Sequence, residues 1–153
     1  MDNIILAKKI DSILRCLDRI QQRLPQTEAE FIKDYDAQDV VVLNLTRAIQ
    51  MNVDIATHIL ANTNQAVPTT MAEAFTSLER LNILTPDIAD KMRRSIGYRN
   101  VAVHNYDDID LTITYKIASH HLGDFKSYIK QIINSQSQLE CANYSDPLTT
   151  GSL

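Results

Sequence analysis

Apolar residues in this chain return at intervals of three, four and seven, and that spacing restricts the fold more than any other feature. Ile4, Ile5, Ile10, Ile13, Leu14, Leu17, Ile20 and Leu24 fall on one stripe only if the backbone winds at about 3.6 residues per turn. Pro25 ends the run. The reading is a first helix over residues 3–24. Val41, Leu45, Ala48, Ile49, Ile55, Ala56 and Ile59 repeat the pattern to about Asn62. "VVVL" alone would pass for a strand, but its continuation at helical spacing decides against one.

Helix starts are marked by hydroxyl and carboxylate residues that can accept from free N–H groups. Thr27 with Glu30 and Thr70 with Glu73 have capping-box spacing, Asp36 can cap the second long helix, and Thr85 precedes a proline suited to the first helical position. The segment from Thr70 carries Phe75, Leu78 and Leu81; the one from Thr85 carries Ile88, Met92 and Ile96. A last helix is expected from Asp108 or Asp110 through Ile113, Ile117, Leu122, Phe125, Ile129 and Ile132. Together these predict an all-α, up-and-down bundle of about five helices. Residues 1–133 form the helical domain, and 134–153, polar and without period, are expected to be a mobile tail.

Composition agrees with this and narrows the partners. Three glycines in 153 residues are too few for a many-stranded β fold. A net charge of −4 excludes coating of nucleic acid by a general basic field, so any RNA contact must be local. Cys16 and Cys141 have no metal-like spacing, nothing at the start resembles a secretory signal, and no apolar run approaches the roughly 20 residues that cross a bilayer. The expectation is a cytoplasmic protein with reduced thiols, no membrane contact, no cofactor and no metal.

The stretch "RNVAVHNY", residues 99–106, gathers an arginine, a histidine and a tyrosine where the helical pattern stops. On an ideal helix Arg99 and His104 would point roughly 140° apart, while Arg99 and Tyr106 would share a face. Convergence of guanidinium and imidazole therefore requires the helix to end, unwind or bulge between Arg99 and His104. The bland alternative is a frayed helix end with His104 favoured by the local dipole. Lys91, Arg93 and Arg94 add a basic patch of the kind RNA demands, though such a cluster is usually a solvated face.

The spacing R-x4-H-x-Y, followed by "DDID" and a long final helix, resembles the HEPN superfamily, and within it the HepT toxins of HepT/MntA systems. The resemblance implies a HEPN-like, dimerising ribonuclease whose two motifs face one another. It implies catalytic roles for Arg99 and His104, with Tyr106 accepting AMP from an ATP-using, MntA-like nucleotidyltransferase. The residue types suit metal-independent cleavage. A 2′-hydroxyl attacks the adjacent phosphate; histidine, which exchanges a proton near neutrality, takes the proton, and a guanidinium fork meets the growing phosphate charge. The proton for the leaving 5′-oxygen would come from a second His104 across a homodimer. Attached AMP would set a bulky anion beside His104 and compete for Arg99.

Lys91, Arg93, Arg94 and Asn105 are candidate RNA contacts. The alternative reading is a non-catalytic helical module that docks a nucleotidyltransferase, the motif then serving only as a modification site. Gly97 is costly within a helix and is read as a point of close approach, across a dimer among other ways, rather than as the distortion. His58, and at least one of His120 and His121, are read as structural; Asp107, Asp108 and Asp110 are read as caps rather than a metal cluster.

Overall fold

The computed structural model describes residues 3–151, with side chains described through Ser137. The bundle is all-helical: α1 Asn3–Arg23, α2 Glu28–Lys33, α3 Tyr35–Leu60, α4 Met71–Arg80, α5 Pro86–His104, a 3₁₀ turn at Tyr106–Asp108, α6 Leu111–His120 and α7 Leu122–Gly151. The described residues thus hold seven α-helices where about five were expected. The short α2 is one addition, and the last helix is two. At His121 the chain turns, its N–H reaching Ile117 O at 2.9 Å while Asp124 N–H reaches back to His121 O at 3.1 Å. The bend lets α6 rest on α2 and α3 while α7 packs against α5.

Central helix α3 is held by α1 on one side and by α4 and α5 on others. Ile13, Leu17 and Ile20 of α1 and Val41, Leu45, Ala48 and Ile55 of α3 are buried in one apolar core, which Phe31, Phe75, Leu78, Met92 and Ile132 complete. Tyr128 is fully buried, and its hydroxyl donates to Asn52 O at 2.7 Å. The apolar stripe of α1 is narrower than its sequence: Ile4, Ile5 and Leu14 are exposed, whereas Leu6 and Cys16 are buried. α1 presents only one face to α3, and these three residues lie off it.

Side-chain caps fix the helix starts. Thr27 accepts from Glu30 N–H at 3.2 Å, Thr70 from Glu73 N–H at 3.2 Å and Thr85 from Ile88 N–H at 3.4 Å. Glu73 also accepts from the backbone N–H of Thr69 at 2.8 Å, and that bond holds its carboxyl below the ordinary glutamate range. The cap of α3 is Asp34 rather than the expected Asp36, accepting from Ala37 N–H at 3.0 Å; the two aspartates have equal capping chemistry, and the short α2 moves the start. α4 ends in a Schellman closure, Ile83 N–H to Leu78 O at 3.0 Å and Asn82 N–H to Glu79 O at 3.0 Å. Asn82 there takes φ 59°, a value that asparagine tolerates better than most residues.

Helical winding continues past residue 133 to Gly151, so the backbone does not stop where apolar period is lost. Gly and Pro are absent from 134–146, leaving nothing in the covalent chemistry to end a helix there. The side chains of 138–151, Cys141 among them, and residues 152–153 lie outside the described part, so the expected mobility of the tail falls mostly on side chains that are not described.

Candidate active site

α5 is amphipathic in the ordinary way. Ile88, Ala89, Met92 and Ile96 are buried, and the opposite side carries charge. Its four cations differ in their surroundings. Lys91 lies 3.3 Å from Asp87 and 3.2 Å from Asp124, Arg93 lies 2.8 Å from Glu79, and Arg94 lies 3.0 Å from Asp90. Lys91 and Arg93 therefore tie α5 to α7 and α4. Contact with Asp124 first, then with Asp87, raises the Lys91 ammonium above its usual value. Arg99 is the exception: among the described residues no carboxylate lies within 4.0 Å of it. One guanidinium nitrogen donates to Asn100 Oδ1 at 3.1 Å, and its buried Nε has no partner.

The helix does not break where convergence required it. α5 stays regular through His104, its last residue, and Asn105 N–H still closes an i to i−4 bond on Val101 O at 2.8 Å. No bulge separates Arg99 from His104, so within one chain their Cβ directions differ by roughly 140° around the axis. The expected distortion is corrected by one position or more: it falls after His104. Asn105 turns the chain with φ −150° and ψ 61°, its side chain donates to Asp108, and the 3₁₀ turn follows. The intrahelical bonds cover every residue up to the cap, and the polar "HNYDD" acts only beyond it.

That corner sets the positions of His104 and Tyr106. His104 is exposed at the end of α5. Tyr106, 48% exposed, leans across to α3, where its hydroxyl donates to Asp39 Oδ1 at 2.7 Å. Partial burial first, then the Asp39 hydrogen bond and charge, push the Tyr106 phenol up to about 12. The folded chain thus holds this proton more tightly than the unfolded chain, and the corresponding stability is complete below the ordinary phenol value and fades as pH climbs through about 12. Tyr98, pushed to about 12 by burial, contacts Thr114 Oγ1 at 3.0 Å and joins α5 to α6. Asp39 had no signal in the sequence, standing 67 positions from Tyr106.

Other candidates take plainer places. Asp110 caps α6, accepting from Thr112 N–H at 2.9 Å and Ile113 N–H at 3.3 Å. His121 lies 3.3 Å from Asp124, and His120 contacts Ser119 Oγ at 2.7 Å. Gly97 is exposed, and a Cβ built on it meets nothing within 4 Å. Neither close approach within this chain nor distortion accounts for it. Beside it lies a mostly apolar groove of about 530 Å³, lined by Ile49, Met92, Tyr98, Val101, Ile117 and Phe125 among others.

A bundle whose fifth helix ends in R-x4-H, with a tyrosine on the turn that follows, defines a protein of the HEPN class. The family described as ribonuclease HepT-like matches residues 13–132, and the chain belongs to that family. It is 37% identical over 130 residues to an mRNA nuclease HepT of Shewanella oneidensis, covering 85% of this chain and 97% of the relative. A tRNA nuclease HepT of Aphanizomenon flos-aquae is 29% identical over 143 residues, covering 94% and 97%. Among solved structures, the tri-AMPylated Shewanella oneidensis HEPN toxin in complex with MNT antitoxin superimposes with TM-score 0.80 at 36% identity, over 88% of this chain and 99% of that one. The cytosolic protein YutE of Bacillus subtilis, at 18% identity and TM-score 0.70 over 89% and 92%, shares the fold. No described helix is long and apolar enough to cross a membrane.

Proposed function

We propose that this HepT-like ribonuclease is the toxin of a toxin–antitoxin pair, acting on RNA in the cytoplasm as a homodimer, and that an MntA-like nucleotidyltransferase silences it by transferring AMP from ATP to Tyr106. The observation that carries the reading is the contrast along α5: three cations are neutralised by carboxylates, while Arg99 has none within 4.0 Å among the described residues and His104, at the end of the same helix, is exposed. An uncompensated guanidinium in an acidic chain is placed to meet a phosphate. His104 takes the 2′-hydroxyl proton as that oxygen attacks phosphorus, Arg99 stabilises the charge on the non-bridging oxygens, and a second imidazole returns a proton to the leaving 5′-oxygen. This sequence calls for no metal. Lys91, Arg93, Arg94 and Asn105 would add RNA contacts only by exchanging their present carboxylate partners for phosphate.

Regular winding of α5 supports a site shared between protomers, because one straight helix cannot turn both groups to one substrate. The face available for a second copy holds Gly97 with Val101 and Ile113, which are 38% and 50% exposed. Gly97→Ala is expected to raise chain stability by about 0.5–1 kcal/mol in denaturation of the monomer, yet to weaken self-association in sedimentation. Unchanged association would take Gly97 out of the interface.

The whole reading is tested by incubating the purified chain with mixed RNA, alone and after treatment with an MntA-type partner and ATP. Cleavage by the untreated chain, lost as the mass rises by AMP units, is expected. An untreated chain that binds the partner but cuts no RNA would make this a docking module instead. The relatives named for mRNA and for tRNA cleavage differ in target, so the RNA class is left to that assay.

A further inference from the structure

Transfer of AMP to a tyrosine requires its phenol to lose a proton while the oxygen attacks phosphorus. Tyr106 is poorly prepared to lose it unaided, since its environment keeps the hydroxyl neutral well above physiological pH. A proton acceptor already in contact with the oxygen would ease that loss. The titratable groups that act on it are few: Asp39 from α3 by hydrogen bond and charge, and Tyr98 from α5 by charge alone. Arg99 and His104 of α5 and Asp107 and Asp108 of the turn are near in sequence. Tyr98 directs its hydroxyl to Thr114, and Asp108 accepts from the Asn105 amide. Asp39 is the group in contact, at 2.7 Å, and no cation lies within 4.0 Å of its carboxylate among the described residues.

The other tyrosines sharpen the point. Tyr115 donates to Pro25 O at 2.9 Å and Tyr128 to Asn52 O at 2.7 Å; Tyr98 contacts a threonine hydroxyl. Peptide carbonyls and alcohols do not keep a proton near neutral pH. Tyr35 is 75% exposed with no hydrogen bond to a carboxylate. Of the tyrosines with described side chains, Tyr106 alone rests its hydroxyl on an ionisable acid, and both partners of that contact are reachable from solvent.

We propose that Asp39 is the general base for AMP transfer to Tyr106 and the reason this tyrosine is chosen. The inference rests on Tyr106 being the acceptor. As Tyr106 Oη bonds to the α-phosphorus of ATP, its proton passes to Asp39 Oδ1. The bond from that phosphorus to the bridging oxygen breaks, and pyrophosphate leaves with the electron pair. Asp39, at the surface, then gives the proton to water.

The test uses the full chain with an MntA-type partner at saturating concentration, magnesium and ATP, following intact mass over time from neutral to alkaline pH. Asp39→Asn keeps an oxygen that can accept the phenol hydrogen bond but cannot hold the proton. Its initial rate is expected to fall about 10²-fold or more near neutrality, with the deficit closing as rising pH ionises the phenol directly; Asp39→Glu should retain most of the rate. Circular dichroism checks the fold of each variant. A wild-type rate in Asp39→Asn, or a deficit of equal size at every pH, would overturn the proposal, the second result reducing Asp39 to a positioning residue. Tyr106→Phe run in parallel separates the two readings: an adduct at wild-type rate in that variant removes Tyr106 as acceptor, whatever Asp39 does.

Discussion

His104→Ala is expected to abolish RNA cleavage to within background, a loss of about 10²–10⁴-fold for removal of a proton-transfer group, while the helical fold is retained. The side chain is exposed at the last turn of α5, so truncation opens no cavity and should change stability by at most about 0.5 kcal/mol. Arg99→Ala is expected to lose about 10²–10³-fold, the range for removing one donor to a developing oxyanion, and Arg99→Lys should recover little because an ammonium lacks the planar fork. The more decisive experiment mixes the two inactive chains. If Arg99 of one protomer serves His104 of the other, a mixed dimer carries one such pair but a single imidazole, so random pairing is expected to return measurable activity below roughly a quarter of wild type, short by what the second His104 contributes as acid. If both groups act within a chain, mixing returns nothing. Gel-resolved cleavage of a defined RNA, with the chains co-refolded, reads the difference.

Tyr106→Phe should escape neutralisation. With partner and ATP present, the wild-type chain gains AMP and stops cutting, whereas the phenylalanine variant keeps both its mass and its cleavage. The expected effect is large for an electrostatic reason. Each AMP adds an anionic phosphodiester two residues beyond His104 and one helical corner from Arg99, whose guanidinium has no competing carboxylate among the described residues. Peptide mapping that found the adduct elsewhere in the wild-type chain would overturn the assignment.

Much of the fold was legible because it is local. Thr27, Thr70 and Thr85 cap helices as their spacing foretold, and the stripe of α3 lies in the core from Val41 to Ile59. What failed was information that a single helix does not contain. Ile4 and Leu14 satisfy the period of α1 but not the width of the face that α3 covers. The bend at His121 arises from where α6 and α7 must lie, not from a proline. The motif itself is visible as residue types, yet its geometry is not. The polar residues after His104 suggest unwinding ahead of it, whereas the backbone bond from Asn105 to Val101 persists. Asp39 was out of reach altogether, because only the folded chain sets α3 against the turn after α5.

The contact between Tyr106 and Asp39 also works as a latch. Any group esterified to that oxygen removes the only hydrogen it can donate, so silencing of this kind must unfasten the corner from α3 at the same moment. The silenced protein should thus differ mechanically as well as chemically, with amides of residues 105–110 exchanging deuterium faster than in the free toxin. An equal or slower rate would mean that the attached nucleotide supplies a replacement clasp.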